Sequence, residues 1–316
     1  NQHIVVDDNI KAIYQAYNKP KEQGEQKRVE EMPMDTAIIK YAAQNNDMAI
    51  ITFGRISGEY IDRVSSDFFL SETEQELVKN VTRIFHNENK KVVVVLNIGG
   101  VIETQSWKDM PDAILLSWQA GQEGGNSVAD ILTGHANPSG KLPMTFPVTL
   151  SDHWSSLNFP IDQKIDRRWS VKTGLTHDTK NVDYTVYEEG IYVGYRWFDT
   201  KDLQVSYPFG YGLSYTTFEY GRPSVKRDGE KVIIEVAIKN TGKVAGKEVV
   251  QLYVEAPPGK LDKPVHELKS FGKTKLLQPG ESQMITLSVN PDDLASFDEE
   301  TSAWVTDGGK YKFVVA

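Results

Sequence analysis

The sequence predicts two fold classes in succession: an α/β domain built on a parallel sheet, then an all-β sandwich. Three observations carry that expectation. Short apolar runs, Met48–Phe53 and Val92–Leu96, alternate with segments of helical period in the first half. From about Thr216 the texture changes to short alternating strands, separated by turns such as Asp228-Gly229, Thr241-Gly242, Pro279-Gly280 and Asp307-Gly308-Gly309. Between the two lies a stretch without period in which aromatic residues crowd, from Trp154 through Trp169, Tyr187 and Trp197 to Tyr215. The expected boundaries are 1–145 for the α/β domain, 146–215 for an aromatic connector packing on it, and 216–316 for the sandwich.

Taken in order, Ile10, Ile13, Tyr14 and Tyr17 stand at i, i+3, i+4, i+7 and predict a helix from Asp8. Lys19–Pro33 is charged and aperiodic and reads as a loop. Asp35 is placed to cap a second helix whose inner face holds Ile38, Ile39, Ala42 and Ala43. The run Met48–Phe53 then reads as a buried strand. Ser71 and Glu74 form a capping box ahead of Leu77, Val78, Val81, Ile84 and Phe85, which repeat at helical spacing. Val92–Leu96 and Ala113–Ser117 read as further strands, and Asn126–Thr133 as the helix after them. Strand, helix, strand, short crossover, strand, helix is the order of a doubly wound parallel sheet. Three strands are few for such a sheet, and the chain opens on a helix, so the first part of this domain is expected to lie upstream of Asn1. The sandwich strands are expected at Val232–Lys239, Glu248–Glu255, His266–Leu277, Met284–Val289, Ala303–Val305 and Lys310–Val315.

Composition narrows the function classes. The 316 residues suffice for two cored domains, and the formal charge of −9 argues against a nucleic-acid groove or an anionic membrane as partner. An uncharged substrate fits better. With no cysteine there is no disulfide framework, zinc knuckle or thiol nucleophile. No apolar run reaches the roughly 18 residues of a spanning helix, and Asn1–Asp8 lack signal-peptide character. The compartment stays open, with a bacterial periplasmic or secreted setting favoured over the cytoplasm. The six histidines show no pair at ligand spacing, so no metal and no cofactor is implied.

Several motifs fail on inspection. In GHANPSGKL, Gly134–Leu142, five residues rather than four separate the glycines, and Leu142 stands where a phosphate-binding loop needs Ser or Thr. No G-x-G-x-x-G follows a strand and no G-x-S-x-G elbow is present. Asn80-Val81-Thr82 matches a glycosylation acceptor but falls inside a predicted helix with Val81 on the buried face.

The stretch GRISGEYIDR, Gly54–Arg63, leaves the carboxyl end of the first strand, where open parallel sheets bind ligands. Glu59 there is a candidate catalytic carboxyl, with Gly58 permitting a sharp bend and Asp62 and Arg63 within a turn of it. The simpler reading of a loop glutamate is a solvated surface group. Glu123, in WQAGQEGG after the third strand, is the rival carboxyl. It ranks behind Glu59, because an acid just ahead of a helix is explained by the orphan N–H groups there.

The segments SGEYIDR at Ser57, LSETEQELVKNV at Leu70, VVVVLNIGGVIE at Val92, WQAGQEGG at Trp118, DILTGHANPSGKLPMTFP at Asp130, YEEGIYVGYRWFD at Tyr187 and YPFGYGLSYTTFEY at Tyr207 together resemble family 3 glycoside hydrolases of the β-glucosidase type. The order of the segments agrees as well as their wording. The resemblance implies a (β/α)₈ barrel, an α/β sandwich and a fibronectin type III-like sandwich, of which this chain is similar to the last two. It further implies that the absent barrel supplies the Asp nucleophile and most sugar contacts, while a loop of the α/β sandwich carries the general acid/base, matching Glu59. Asp62 and Arg63 then support that loop. A retaining glycosidase holds its two carboxyls about 5 to 5.5 Å apart, with the donor protonated. A nearby negative group such as Asp62 would favour that state and Arg63 would oppose it, so Arg63 is expected to be tied to Asp62 or another acid. A β-glucoside or oligosaccharide is the implied substrate, xylosides remain compatible, and a homo-oligomer is left open. The alternative is a non-catalytic carbohydrate-associated or scaffold protein with a vestigial site.

Overall fold

Five consecutive aliphatic side chains, Val92–Leu96, can all be buried only in a strand covered on both faces, which places that strand inside a sheet rather than at its rim. The computed structural model bears this out. It describes residues 4–18, 29–55, 63, 65–157 and 187–316. Strands β1 (Met48–Arg55), β2 (Lys91–Ile98) and β3 (Ala113–Leu116) form a wholly parallel sheet in the order β1-β2-β3, with Val92–Leu96 buried throughout.

The helices follow from their caps. Helix α1 (Asp8–Tyr17) starts where the Asp7 carboxylate accepts from the N–H groups of Asn9 and Ile10. Helix α2 (Thr36–Asn45) starts where Asp35 accepts from Ala37 N–H, and it buries Ile39, Ala42 and Ala43. Helix α3 (Glu72–Asn87) has both halves of the predicted capping box: Ser71 Oγ accepts from Glu74 N–H, and Glu74 accepts from Ser71 N–H. Just past its end, Asn89 with a φ of 56° turns the chain out of the helix so that Lys90 N–H closes onto the Phe85 carbonyl. Helix α4 (Gly124–Leu132) follows β3. Leu77, Val78, Val81, Ile84 and Phe85 of α3 join Ile51, Phe53, Val92, Val94 and Leu96 of the sheet in one core, and Trp107 meets Phe53 edge-on at 6.4 Å. Each such side chain contributes about 1.5–3 kcal/mol on burial.

The described residues fall into two compact units. The first holds everything just described, with Phe146–Asp152. The second gathers Gly134–Thr145, His153–Ser155 and the chain from Tyr187 onward. In it, Glu267–Lys273, Val249–Glu255 and Lys312–Val315 form one antiparallel sheet; Ser282–Val289, Lys231–Asn240 and Phe218–Tyr220 form another, with Ser224–Asp228 also paired to Lys231–Asn240. Ile234, Val236, Ile238, Val250, Leu252, Val254, Ile285, Leu287 and Val289 share its core. The predicted strands are present with edges shifted by a few residues. Phe218–Tyr220, Ser224–Asp228 and Ser296–Asp298 are additional strands, too short or too polar to show alternation.

The aromatic stretch departs from its expected place. From Tyr187 on it belongs to the second unit, and Gly134–Thr145, expected within the α/β domain, joins it there. The cause lies in Val249–Glu255, which is buried on both faces and so needs cover on its outer side. Tyr195 supplies part of that cover: it lies edge-on to Tyr253 at 6.0 Å, stacks on Phe209 at 4.7 Å, and its hydroxyl accepts from Leu268 N–H. The short helix Tyr195–Thr200 that carries it opens at Gly194, whose φ of 60° suits glycine.

At the amino edge of the parallel sheet, Asp112 accepts from Lys91 Nζ at 2.7 Å and Val92 N–H at 2.8 Å, and pairs with His86 Nε2 at 2.9 Å. Burial pushes its pKa up, but these hydrogen bonds outweigh it and hold the carboxyl well below the usual aspartate range. A depressed folded pKa contributes stability that is present above the unfolded value of about 4 and is lost as pH falls through the folded value. Asp112→Ala is therefore expected to cost about 1–3 kcal/mol near neutral pH. In urea titrations across pH, the gap between wild type and variant should hold above about pH 4 and shrink in acid.

Candidate active site

The carboxyl edge of the parallel sheet is where β1, β2 and β3 release their loops. Glu59 and Asp62 lie outside the described residues, and Arg63 lies within them. What the structure does describe is the ground on which that loop stands.

Along β1 the buried side chains alternate: Ile51, Phe53, then Arg55. The strand's period thus drives a guanidinium into the interior just before the loop, where Arg55 is only 3% exposed. Such a charge is tolerated only with a counter-charge and with every donor filled. Both conditions are met. Nη1 donates to Glu74 Oε1 and to the Gly54 carbonyl, each at 2.9 Å. Nη2 donates to Glu74 Oε2 and to the Phe69 carbonyl, also at 2.9 Å. Nε donates to the Asp67 carbonyl at 3.0 Å and lies 3.2 Å from Asp67 Oδ1. Glu74, 2% exposed, therefore serves two ends at once: it completes the α3 capping box and forms the paired fork with Arg55.

Arg63, at the far end of the loop, reaches the same aspartate. Its Nε donates to Asp67 Oδ2 at 2.7 Å, its Nη2 to the Asp67 carbonyl at 2.9 Å, and its Nη1 to the Val101 carbonyl at 2.9 Å. Gly100 lies close by; a Cβ there would sit 3.0 Å from Nη1. Arg63 is thus tied to an acid, and that acid is Asp67.

Arg55 and Asp67 were missed by the sequence reading. A signal for Arg55 exists in the alternation itself, since it shares parity with Ile51 and Phe53. Asp67 carries none, because it sits in the irregular turn Ser65–Phe68.

Glu123, the rival carboxyl, is exposed at the start of α4. Its side chain makes no cap bond to the backbone and instead accepts from Asn126 Nδ2 at 2.7 Å. Trp118, which leaves β3 with a φ of 51°, packs near Phe146 with ring centres 6.2 Å apart. Among the described residues no group of three or more His, Asp or Glu is placed to hold a metal ion.

Removing the Glu74 carboxylate leaves Arg55 buried against no fork. Glu74→Ala is expected to cost about 3–5 kcal/mol in chemical denaturation, and Glu74→Gln clearly less, since it keeps an acceptor for one Nη group. Equal losses for the two would show that packing, and not the charge pair, sets the cost.

Residues 5–195 match the glycosyl hydrolase family 3 C-terminal domain, and residues 248–316 a fibronectin type III-like domain. A beta-glucosidase of Ruminococcus albus is 39% identical over 294 residues, covering 90% of this chain and 28% of its own length. Beta-glucosidase BoGH3A of Bacteroides ovatus is 36% identical over 286 residues, covering 87% of this chain and 35% of itself. The structure of beta-glucosidase 3B from Thermotoga neapolitana in complex with alpha-D-glucose superposes with a TM-score of 0.85 at 44% identity, over 98% of this chain and 42% of that one. The chain thus spans roughly a third of the length of the curated relatives it matches.

Proposed function

The chain belongs to glycosyl hydrolase family 3, and from that premise we propose that it is the C-terminal part of a retaining, exo-acting β-glucosidase in which Glu59 is the general acid/base. The observation that carries the reading is the agreement, over nearly the whole chain, with a β-glucosidase solved with glucose bound. The nucleophile belongs to a barrel domain outside this chain, as do most of the contacts that choose the sugar.

The chemistry follows from the two half-reactions. In the first, Glu59 donates its proton to the glycosidic oxygen as the partner carboxylate attacks the anomeric carbon. In the second, the same carboxylate takes a proton from the water that releases the sugar. Arg63 supports this cycle because its charge is already matched by Asp67 at 2.7 Å. Asp62 stands in the same loop and is assigned a supporting role.

In the protein with its barrel present, Glu59→Ala should lose about 10²–10⁴-fold on aryl β-glucosides with poor leaving groups and far less on those with good ones. Azide should restore turnover of the good leaving groups by attacking the glycosyl-enzyme. Equal losses on both classes, without azide rescue, would remove Glu59 from the proton-donor role. The 316-residue chain alone should hydrolyse neither class, since it brings one carboxyl of the two; hydrolysis by the isolated chain would overturn the division of labour.

A further inference from the structure

The segment Gly134–Thr145 holds the GHANPSGKL motif that fails as a phosphate-binding loop, and the proposed chemistry gives it no role. It forms no helix or strand. The chain enters it from the first unit at Thr133 and returns to that unit at Phe146, yet between those points it belongs to the second. We infer that Gly134–Thr145 is a strap of the β-sandwich, locked through Asn137 and Lys141, and that the sandwich needs it to reach its full stability.

Backbone, amide and charge each contribute to the lock. Leu142 N–H donates to the Tyr211 carbonyl and Gly210 N–H to the Leu142 carbonyl, both at 2.8 Å. Asn137 Oδ1 accepts from Tyr215 N–H at 2.8 Å and from Ser214 Oγ at 2.9 Å, while its Nδ2 donates to the Ala245 carbonyl at 3.0 Å. One side chain thereby ties the strap to two separate segments of the sandwich unit. Lys141 Nζ donates to the Gly212 carbonyl and pairs with Glu248 Oε1, each at 2.9 Å. Glu248 is buried just ahead of Val249–Glu255, the middle strand of its sheet, and a carboxylate buried there requires a counter-charge. The strap supplies it. Burial, and then the Glu248 carboxylate, push the Tyr220 hydroxyl above its ordinary pKa, which sets Tyr220 beside the same acid. The fit is close enough to need glycine: a Cβ at Gly212 would collide with the Gly140 carbonyl, and one at Gly246 would stand 2.9 Å from Asn137 Nδ2. A segment without regular structure keeps its place only through such partners, so its order should rise and fall with the sandwich.

The test follows amide hydrogen exchange in the 316-residue chain, comparing Val94→Ala in the core of the parallel sheet with Leu252→Ala in the core of the sandwich. Exchange at Leu142, Gly210 and Tyr215 should speed in Leu252→Ala by about the factor seen at Val250–Val254, and stay unchanged in Val94→Ala. Lys141→Met keeps the apolar stem and removes the charge. It should speed exchange at Leu142 and at Val250–Val254 about tenfold or more, with Lys141→Arg between it and wild type. Strap amides that follow Val94→Ala, or that respond alike to both core variants, would overturn the assignment to the sandwich. Unchanged exchange in Lys141→Met, at Leu142 or at Val250–Val254, would overturn the lock. If Lys141→Met does not fold, Asn137→Ala carries the same comparison.

Discussion

A buried guanidinium with no spare donor governs the carboxyl edge of the parallel sheet. Arg55 commits its five N–H groups to Glu74, to Asp67 and to the carbonyls of Gly54 and Phe69. Each contact is individually replaceable by water only if the site opens, and an unsatisfied buried donor costs about 1–3 kcal/mol. Alternative paths for the chain between Arg63 and Ser71 would strand one donor or more. The irregular turn Ser65–Phe68 and the start of α3 are therefore held in place by a requirement set on β1. That requirement comes from strand period alone, because Ile51 and Phe53 must face the core and Arg55 shares their side.

The second unit obeys a different constraint. Where Lys231–Asn240 and Ser282–Val289 alternate between core and solvent, Val249–Glu255 does not. Val250, Leu252 and Val254 fill the sandwich interior, while Gln251 and Tyr253 look outward and are buried all the same. Tyr253 donates its hydroxyl hydrogen to Gln251 Oε1, and Gln251 Nε2 donates to the Gly210 carbonyl. A strand of this kind demands a cover layer, and the aromatic segment with Tyr195 and Phe209 provides it. The absence of periodicity in that segment reflects its role as a layer of side chains over a sheet, with little regular backbone of its own.

Much of this was legible from residues. Asp35, Ser71 and Glu74 announced their helices because capping is a local matter, settled within four residues. Val92–Leu96 announced a central strand because burial on both faces leaves no polar alternation. That the first strand releases its loop at the sheet's carboxyl edge came from the order of elements, whereas the chemistry assigned to Glu59 rests on family resemblance, since that residue lies outside those described. What stayed hidden was whatever depended on distant partners. Glu74 was read as a cap, and its second bond lies nineteen residues away at Arg55. Asp67 has no local signature, and the strand Ser224–Asp228, with every residue exposed, forms only because Lys231–Asn240 offers it an edge.

Asp67 also matches the charge that Arg63 carries at the edge of the sheet. Pairing Arg63 with Asp67 replaces a net charge by a dipole, whose influence falls off faster with distance, while the guanidinium keeps its anchoring bonds to the Asp67 and Val101 carbonyls. One aspartate thus gives Arg63 both an anchor and a counter-charge, and a neutral residue of the same shape supplies no counter-charge.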